Sequence, residues 1–332
     1  MAKKVIDLRS IEIKRGFLFF LGLFFFLFPS QNWYSIVQAN EQPSPIQETD
    51  LELPPVADYP VNFTGIQAPW LTARSVIVID RDSAVVLLAK NEQTQLLPAS
   101  TVKLMTALIA QENYPLDEVL RVEEVSQLGQ DMKLFEGEMI TVESLLYGVL
   151  VASANDAALL LAQHYPGGNK AFVKKMNERA QELSLKKTYF ADPTGLDVDQ
   201  ENNLLLDSSY STALDLARLA VEVLKREPLK EMVATKEVVV TDTSGKIKHP
   251  LYNINQLLFW LPGMKGVKTG WTEEAGECLV GYVEREDRGI ITVVLSSEDR
   301  FGETAKLVDW TFTNHRWEKI TPPNQPLSLT HN

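Results

Sequence analysis

The chain has 332 residues, 45% apolar and 23% charged, an ordinary globular composition that permits one large domain or two small ones. Its net charge of −12 argues against nucleic acid as a partner. A single cysteine excludes an intrachain disulfide; with no HExxH or CxxC pattern and four scattered histidines, no metal or cofactor is expected.

Five basic residues, Lys3, Lys4, Arg9, Lys14 and Arg15, precede an apolar run of 13 residues at 16–28. Pro29 and a polar stretch ending in Val37 and Ala39 follow. This three-part order is that of a secretory signal, with cleavage expected after Ala39. The alternative is an uncut anchor, but a spanning helix needs roughly 20 apolar residues. Either way the remainder is expected to be exported, and membrane attachment, if any, comes through this segment. Cleavage removes five Lys/Arg and two Asp/Glu and takes the charge to −15. Residues 40–67 are acidic and proline-rich and read as a tether. "NFT" at Asn62 fits a glycosylation sequon that matters only in a eukaryotic host.

The folded domain is expected over 68–317, with a short tail at 318–332. "SVIVID" and "AVVLLAK" flank "RDS" as a hairpin. "ASTVKLMTALIA" is a helix with Ser100 and Thr101 as good caps. The region to about Thr241 is mostly helical. "TVESLLYGVLVA" is capped by Thr141, and "NDAALLLAQHY" follows. "NKAFVKKMNERAQEL" carries a Phe172, Met176, Ala180 stripe, and Thr212 and Asp215 are spaced as a capping box. Strands return in "KEVVVTD", "KGVKTGWT", "ECLVGYVE", which holds Cys278 as a small buried residue, and "GIITVVLSS". A helix, "ETAKLVDWTFTNH", closes the domain. Strands at both ends and helices between them predict an α+β fold: one antiparallel sheet flanked by helices, with a helical lobe beside it.

Three short patterns occur in order: S-x-x-K at Ser100 and Lys103, S-x-N at Ser153 and Asn155, and K-T-G at Lys268, Thr269 and Gly270. Each is weak alone. S-x-x-K recurs at Ser184 and Lys187, and S-x-N recurs at Ser30 and Asn32 inside the signal. Position separates them. Ser184 ends an amphipathic helix, where lysines complement the dipole, whereas Ser100 begins one and faces its positive end. A serine and a lysine three apart share a face. For the lysine to act as a base, burial and a second cation, Lys268, must strip its proton.

"PASTVKLMTALIA", "LLYGVLVASANDAA", "YSTALDLARLA" and "GVKTGWTEEAGECLV" resemble the serine D-Ala-D-Ala carboxypeptidases, the low-molecular-weight penicillin-binding proteins of the S11 peptidase type, over residues 68–317. The resemblance implies a β-lactamase/transpeptidase-like fold in two lobes and a bacterial protein in the periplasm or on the extracytoplasmic membrane face. It implies a peptidoglycan pentapeptide stem as substrate and β-lactam antibiotics as acylating inhibitors. Ser100 would attack the penultimate D-Ala carbonyl while Lys103 takes its proton. Ser153 would relay a proton to the leaving D-Ala, and Asn155 would hold the substrate amide. Lys268 would bind the substrate carboxylate or tune Lys103. Gly270 would let the substrate backbone lie along the edge strand. The N–H groups of Ser100 and Trp271 would form the oxyanion hole, and Arg300 would face the terminal carboxylate.

Trp271 stands where many relatives carry His or Tyr, which bears on stem-peptide preference. Many relatives continue into a β-rich second domain and an amphipathic membrane helix; neither is expected here, where 15 residues follow Trp317. Three rival readings use the same motifs. A D,D-endopeptidase would cut peptidoglycan crosslinks with the same residues. A class A β-lactamase would need an E-x-x-L-N glutamate, of which "ENNLL" at Glu201 is a partial echo. A non-catalytic wall-binding module is opposed by the intact Ser100, Lys103 and Lys268. A Ser-His-Asp hydrolase is disfavoured because G-x-S-x-G is absent.

Overall fold

The structure, a computed structural model, describes residues 58–125, 129–196 and 208–319. The export signal with its second S-x-N, the tether up to residue 57, Glu201 and the tail beyond 319 lie outside the described residues. The strands are β1 (Tyr59–Asn62), β2 (Ser75–Asp80), β3 (Val86–Lys90), β4 (Val119–Arg121), β5 (Met139–Thr141), β6 (Glu237–Thr241), β7 (Lys248–Tyr252), β8 (Met264–Thr272), β9 (Gly276–Arg285), β10 (Arg288–Ser297) and β11 (His315–Glu318). The α-helices are α1 (Lys103–Asn113), α2 (Val142–Val151), α3 (Asn155–Gln163), α4 (Gly168–Glu182), α5 (Ala213–Leu224), α6 (Glu227–Ala234), α7 (Leu257–Trp260) and α8 (Arg300–Asn314), with a 3-10 turn at Ala99–Val102 before α1.

The expected α+β architecture is present. Five antiparallel strands run in the order β3-β2-β10-β9-β8, uniting strands from both ends of the domain and leaving β8 on an edge. The period of two sorts their side chains. Val76, Val78, Leu279, Val283, Ile290 and Val294 pack with Leu307 and Val308 of α8. Ile77, Ile79, Cys278, Val280, Ile291 and Val293 face the other way, into the core of the helical lobe. Both faces are covered, so β2 is buried along its whole length and reads as an unbroken apolar run.

Two strand expectations change. "KEVVVTD" does not join this sheet; β6 pairs with β7 in a separate two-stranded ribbon. Pro250 within β7 cannot donate to a ladder, which hides that strand in the sequence. The stretch read as tether holds β1, which pairs with β11 across the length of the domain.

The capping expectations divide. Thr141 accepts from Ser144 N and Thr212 from Asp215 N, as expected. Asp215 does not close the box; its carboxylate instead accepts from Lys187 N and the Thr188 hydroxyl. Ser100 and Thr101 are not caps. The 3-10 turn starts after Pro98, and the Thr101 hydroxyl returns to Pro98 O at 2.7 Å. That leaves the Ser100 hydroxyl available for other chemistry. On α1, every residue from 103 to 110 is buried. A helix buried all round is a core helix, and Leu104, Met105, Leu108 and Ile109 stabilise it by about 1.5–3 kcal/mol each. Lys103 is carried inside by that burial.

Candidate active site

A cleft of about 470 Å3 lies between the β8 edge and the helical lobe. Its walls include Ser100, Ser153, Asn155, Thr269, Gly270, Trp271 and Arg300. All three motifs therefore converge, from parts of the chain far apart in sequence. Lys103 and Lys268 lie behind the walls, 0% and 2% exposed.

The backbone sets the cleft's floor. Ala99, just before Ser100, has φ +47°, and Ser153 has φ +58°, conformations that non-glycine residues seldom adopt and that cluster at functional sites. Gly270 faces this bend. A Cβ there would stand 2.8 Å from Pro98 O and 3.1 Å from Ser100 N, so the β8 edge approaches the nucleophile's amide only because the side chain is absent. Gly270 also pairs with Cys278, whose sulfur is buried against backbone carbonyls.

The Lys103 amine has three neighbours: Ser100 Oγ at 3.0 Å, Asn155 Oδ1 at 2.6 Å and Thr194 O at 2.8 Å. Burial lowers its pKa to about 7, while Asp192 and Asp156 oppose the shift by favouring the charged form. A neutral amine carries two N–H bonds and one lone pair. The amide oxygen and the carbonyl accept the two N–H bonds, and the lone pair is then left for the Ser100 hydroxyl proton.

This geometry bears on two expectations. Asn155 is expected to hold the substrate amide, and its side-chain oxygen also accepts from the Lys103 amine. Lys268 was expected to lower the pKa of Lys103. Burial is the largest cause of the low Lys103 pKa, and Lys268 is held well below the ordinary lysine value by its own burial, by Lys103 and by Arg300, a repulsion the two buried amines share. The Lys268 amine donates to Thr269 O at 3.0 Å.

The Ser153 hydroxyl is buried and has no hydrogen-bond partner among the described residues. An unpaired buried hydroxyl costs about 1–3 kcal/mol, a cost that a partner entering the cleft would relieve. Arg300 is the first residue of α8, which Asp299 caps through Gly302 N. Its guanidinium donates to Gly270 O at 2.8 Å while lining the cleft, and its backbone N–H is fixed by Glu277. Trp271 is 60% exposed at the mouth, beside Glu273 and Glu274.

Sequence reasoning missed Thr194. Its contribution is a backbone carbonyl, which leaves no side-chain signature; the available sign was the turn-forming run "DPTG". Gly129 and Gln130, which complete the wall, were also missed. Asp156 holds that loop by accepting from Met132 N and Leu134 N, and a buried His249–Glu138 contact of 2.7 Å braces it from behind.

Comparison with known proteins agrees with the geometry. The sequence profile of the peptidase S11 family, described as D-alanyl-D-alanine carboxypeptidase, matches residues 62–299. The D-alanyl-D-alanine carboxypeptidase DacF of Bacillus subtilis is 35% identical over 266 residues, 77% of this chain and 66% of that protein. A D-alanyl-D-alanine endopeptidase of Pseudomonas aeruginosa is 35% identical over 253 residues, 73% of this chain and 76% of that protein. Among solved structures, the Streptomyces K15 DD-transpeptidase superposes with a TM-score of 0.68 at 28% identity, covering 75% of this chain and 100% of that one. The chain belongs to the S11 family of D-alanyl-D-alanine carboxypeptidases.

Proposed function

We propose that the protein is an exported serine D-Ala-D-Ala carboxypeptidase that removes the terminal D-Ala from peptidoglycan stem peptides on the extracytoplasmic side of a bacterial membrane. The observation that carries this reading is the fully buried Lys103 amine, with a pKa of about 7, lying 3.0 Å from the Ser100 hydroxyl.

Ser100 Oγ bonds to the carbonyl carbon of the penultimate D-Ala as its proton passes to Lys103. The N–H groups of Ser100 and Trp271 stabilise the developing oxyanion; loss of one such donor typically raises the barrier by roughly 3 kcal/mol. The C–N bond to the terminal D-Ala breaks, and the proton reaches the leaving amine through Ser153, whose hydroxyl awaits a partner. Lys103, neutral again, takes a proton from water as the water oxygen adds to the ester carbonyl; the C–O bond to Ser100 then breaks, the acid product leaves, and Lys103 returns the proton to Ser100 Oγ. Arg300 is the guanidinium that lines the cleft and suits the terminal carboxylate. Lys268, behind the wall, acts on this region through its field, and Thr269 and Gly270 offer the substrate a strand edge. Penicillins, as acylating mimics, would use the same serine. The N-terminal apolar segment remains the proposed point of any membrane attachment; among the described residues no helix is long and apolar enough to cross a membrane.

The second reading is D,D-endopeptidase action on crosslinks, favoured by the Pseudomonas relative of equal identity. A fluorescent penicillin should label the protein stably and one to one, and Ser100→Ala should leave no label. Rapid drug turnover would point to a β-lactamase, and an unlabelled intact protein to a binding module. Release of D-Ala from a pentapeptide, set against cleavage of a crosslinked dimer, decides between the two peptidase readings.

A further inference from the structure

We infer that Asp192 and Thr106 are positioning residues for the base: through the bend at residues 192–195 they hold the Thr194 carbonyl against the Lys103 amine, and so aim its lone pair at Ser100. The inference rests on the reading of Lys103 as base.

The bend is closed by one carboxylate oxygen. Asp192 Oδ1 accepts from Thr194 N at 2.6 Å, from Gly195 N at 2.9 Å and from the Thr194 hydroxyl. Its outer side is pinned to α1. Thr106 lies one turn beyond Lys103, on the same face, and its buried hydroxyl donates to Pro193 O at 2.6 Å. Two successive carbonyls therefore meet two successive turns of one helix: Pro193 O on Thr106, and Thr194 O on Lys103. The bend also presses on the nucleophile's own backbone. Gly195 has φ +75°, and a Cβ on it would fall 2.1 Å from Ala99 O.

The consequence follows from valence. A neutral Lys103 amine has two N–H bonds to place, and Asn155 Oδ1 takes one of them. If Thr194 O withdraws, the Ser100 oxygen is the remaining acceptor among the three neighbours, and an N–H turned toward it faces the lone pair away from the hydroxyl proton. Asp192 also bears on the proton's energy. The charges facing Lys103 are Asp192 from the bend, Asp156 from α3 and Lys268 from β8, with Arg300 acting in turn on Lys268. Removing the negative charge at 192 disfavours the ammonium, so the amine becomes neutral at lower pH.

The test is the rate of acylation of the whole protein by a fluorescent penicillin, measured against drug concentration and pH. Asp192→Ala should lower the maximal rate by about 10-fold or more, with the non-covalent binding constant little changed, since a base slightly out of line loses rate before affinity. Asp192→Asn keeps an accepting oxygen and should stay within about 3-fold of the normal maximum, while the acid limb of its pH profile moves to lower pH. Thr106→Val should cost about 5-fold, and Thr106→Ser should restore the rate. If Asp192→Ala does not fold, the asparagine variant and the Thr106 pair carry the test. A normal protein that acylates, with an Asp192→Asn limb that does not move and a Thr106→Val rate that does not fall, overturns this inference alone. A normal protein that does not acylate overturns the base reading itself.

Discussion

The chain writes S-x-x-K twice among the described residues, and the two copies fold into opposite circumstances. Ser100 sits in a 3-10 turn that leads into a core helix, and Lys103 is wholly buried against three partners. Ser184 sits just past the end of α4 with φ +58°, the left-handed conformation of a helix stop, and is exposed. Lys187 is exposed as well, its amine donates to Gln93 O at 3.2 Å, and it does not line the cleft that holds Ser100. The same four-residue pattern is thus a buried, hydrogen-bonded pair at a helix start, proposed above as nucleophile and base, and punctuation at a helix end. Burial makes the difference, because desolvation is what moves a lysine pKa from above 10 toward neutrality.

The comparison can be broken at either copy. Lys103→Met keeps the buried chain and removes the amine; acylation by a fluorescent penicillin should fall by about 1,000-fold. A rate near normal would make the buried lysine no more functional than the exposed one. Ser153→Ala should lower D-Ala release by about 100-fold with a smaller change in KM, if its partnerless hydroxyl carries the proton to the leaving group. Acidity should act on the first copy alone. With the amine losing its proton near pH 7, the acylation rate should drop about tenfold for each unit below that, to roughly 1% of its plateau at pH 5. A flat stopped-flow profile between pH 7 and pH 5 would remove Lys103 as base. The smallest effect belongs to the second copy: Lys187→Ala should change acylation by less than about 2-fold and stability by no more than about 0.5 kcal/mol in thermal melts.

What the sequence could show depended on which atoms carry the function. Ser100, Lys103 and Lys268 are marked by side chains in recognisable patterns and Arg300 by resemblance alone; Ser100 and Arg300 line the cleft, and the two lysines are buried behind it. Thr194 meets the Lys103 amine through its carbonyl, which any residue could provide, so its identity carries no chemical signal. Asn155 was legible as a site residue but not as the partner of Lys103, because a contact across 52 positions depends on how α3 meets α1. The fold follows the same division. The β9–β10 hairpin and the buried β2 declare themselves by local pattern. The β1–β11 pair joins two short strands from opposite ends of the domain, one of them holding Pro60, and nothing local marks either as half of a ladder.

The open border of β8 has a further meaning. α6 blocks one part of it, since a Cβ on Gly266 would stand 2.5 Å from Val233 O. Residues 269–272 reach the cleft, a run of about four residues or roughly 13 Å. On the proposed reading, a stem peptide lies along that length, and α6 closes the edge beyond it. This margin is, on that reading, long enough to hold the tail of a peptide and too short to seed the stacking of foreign sheets.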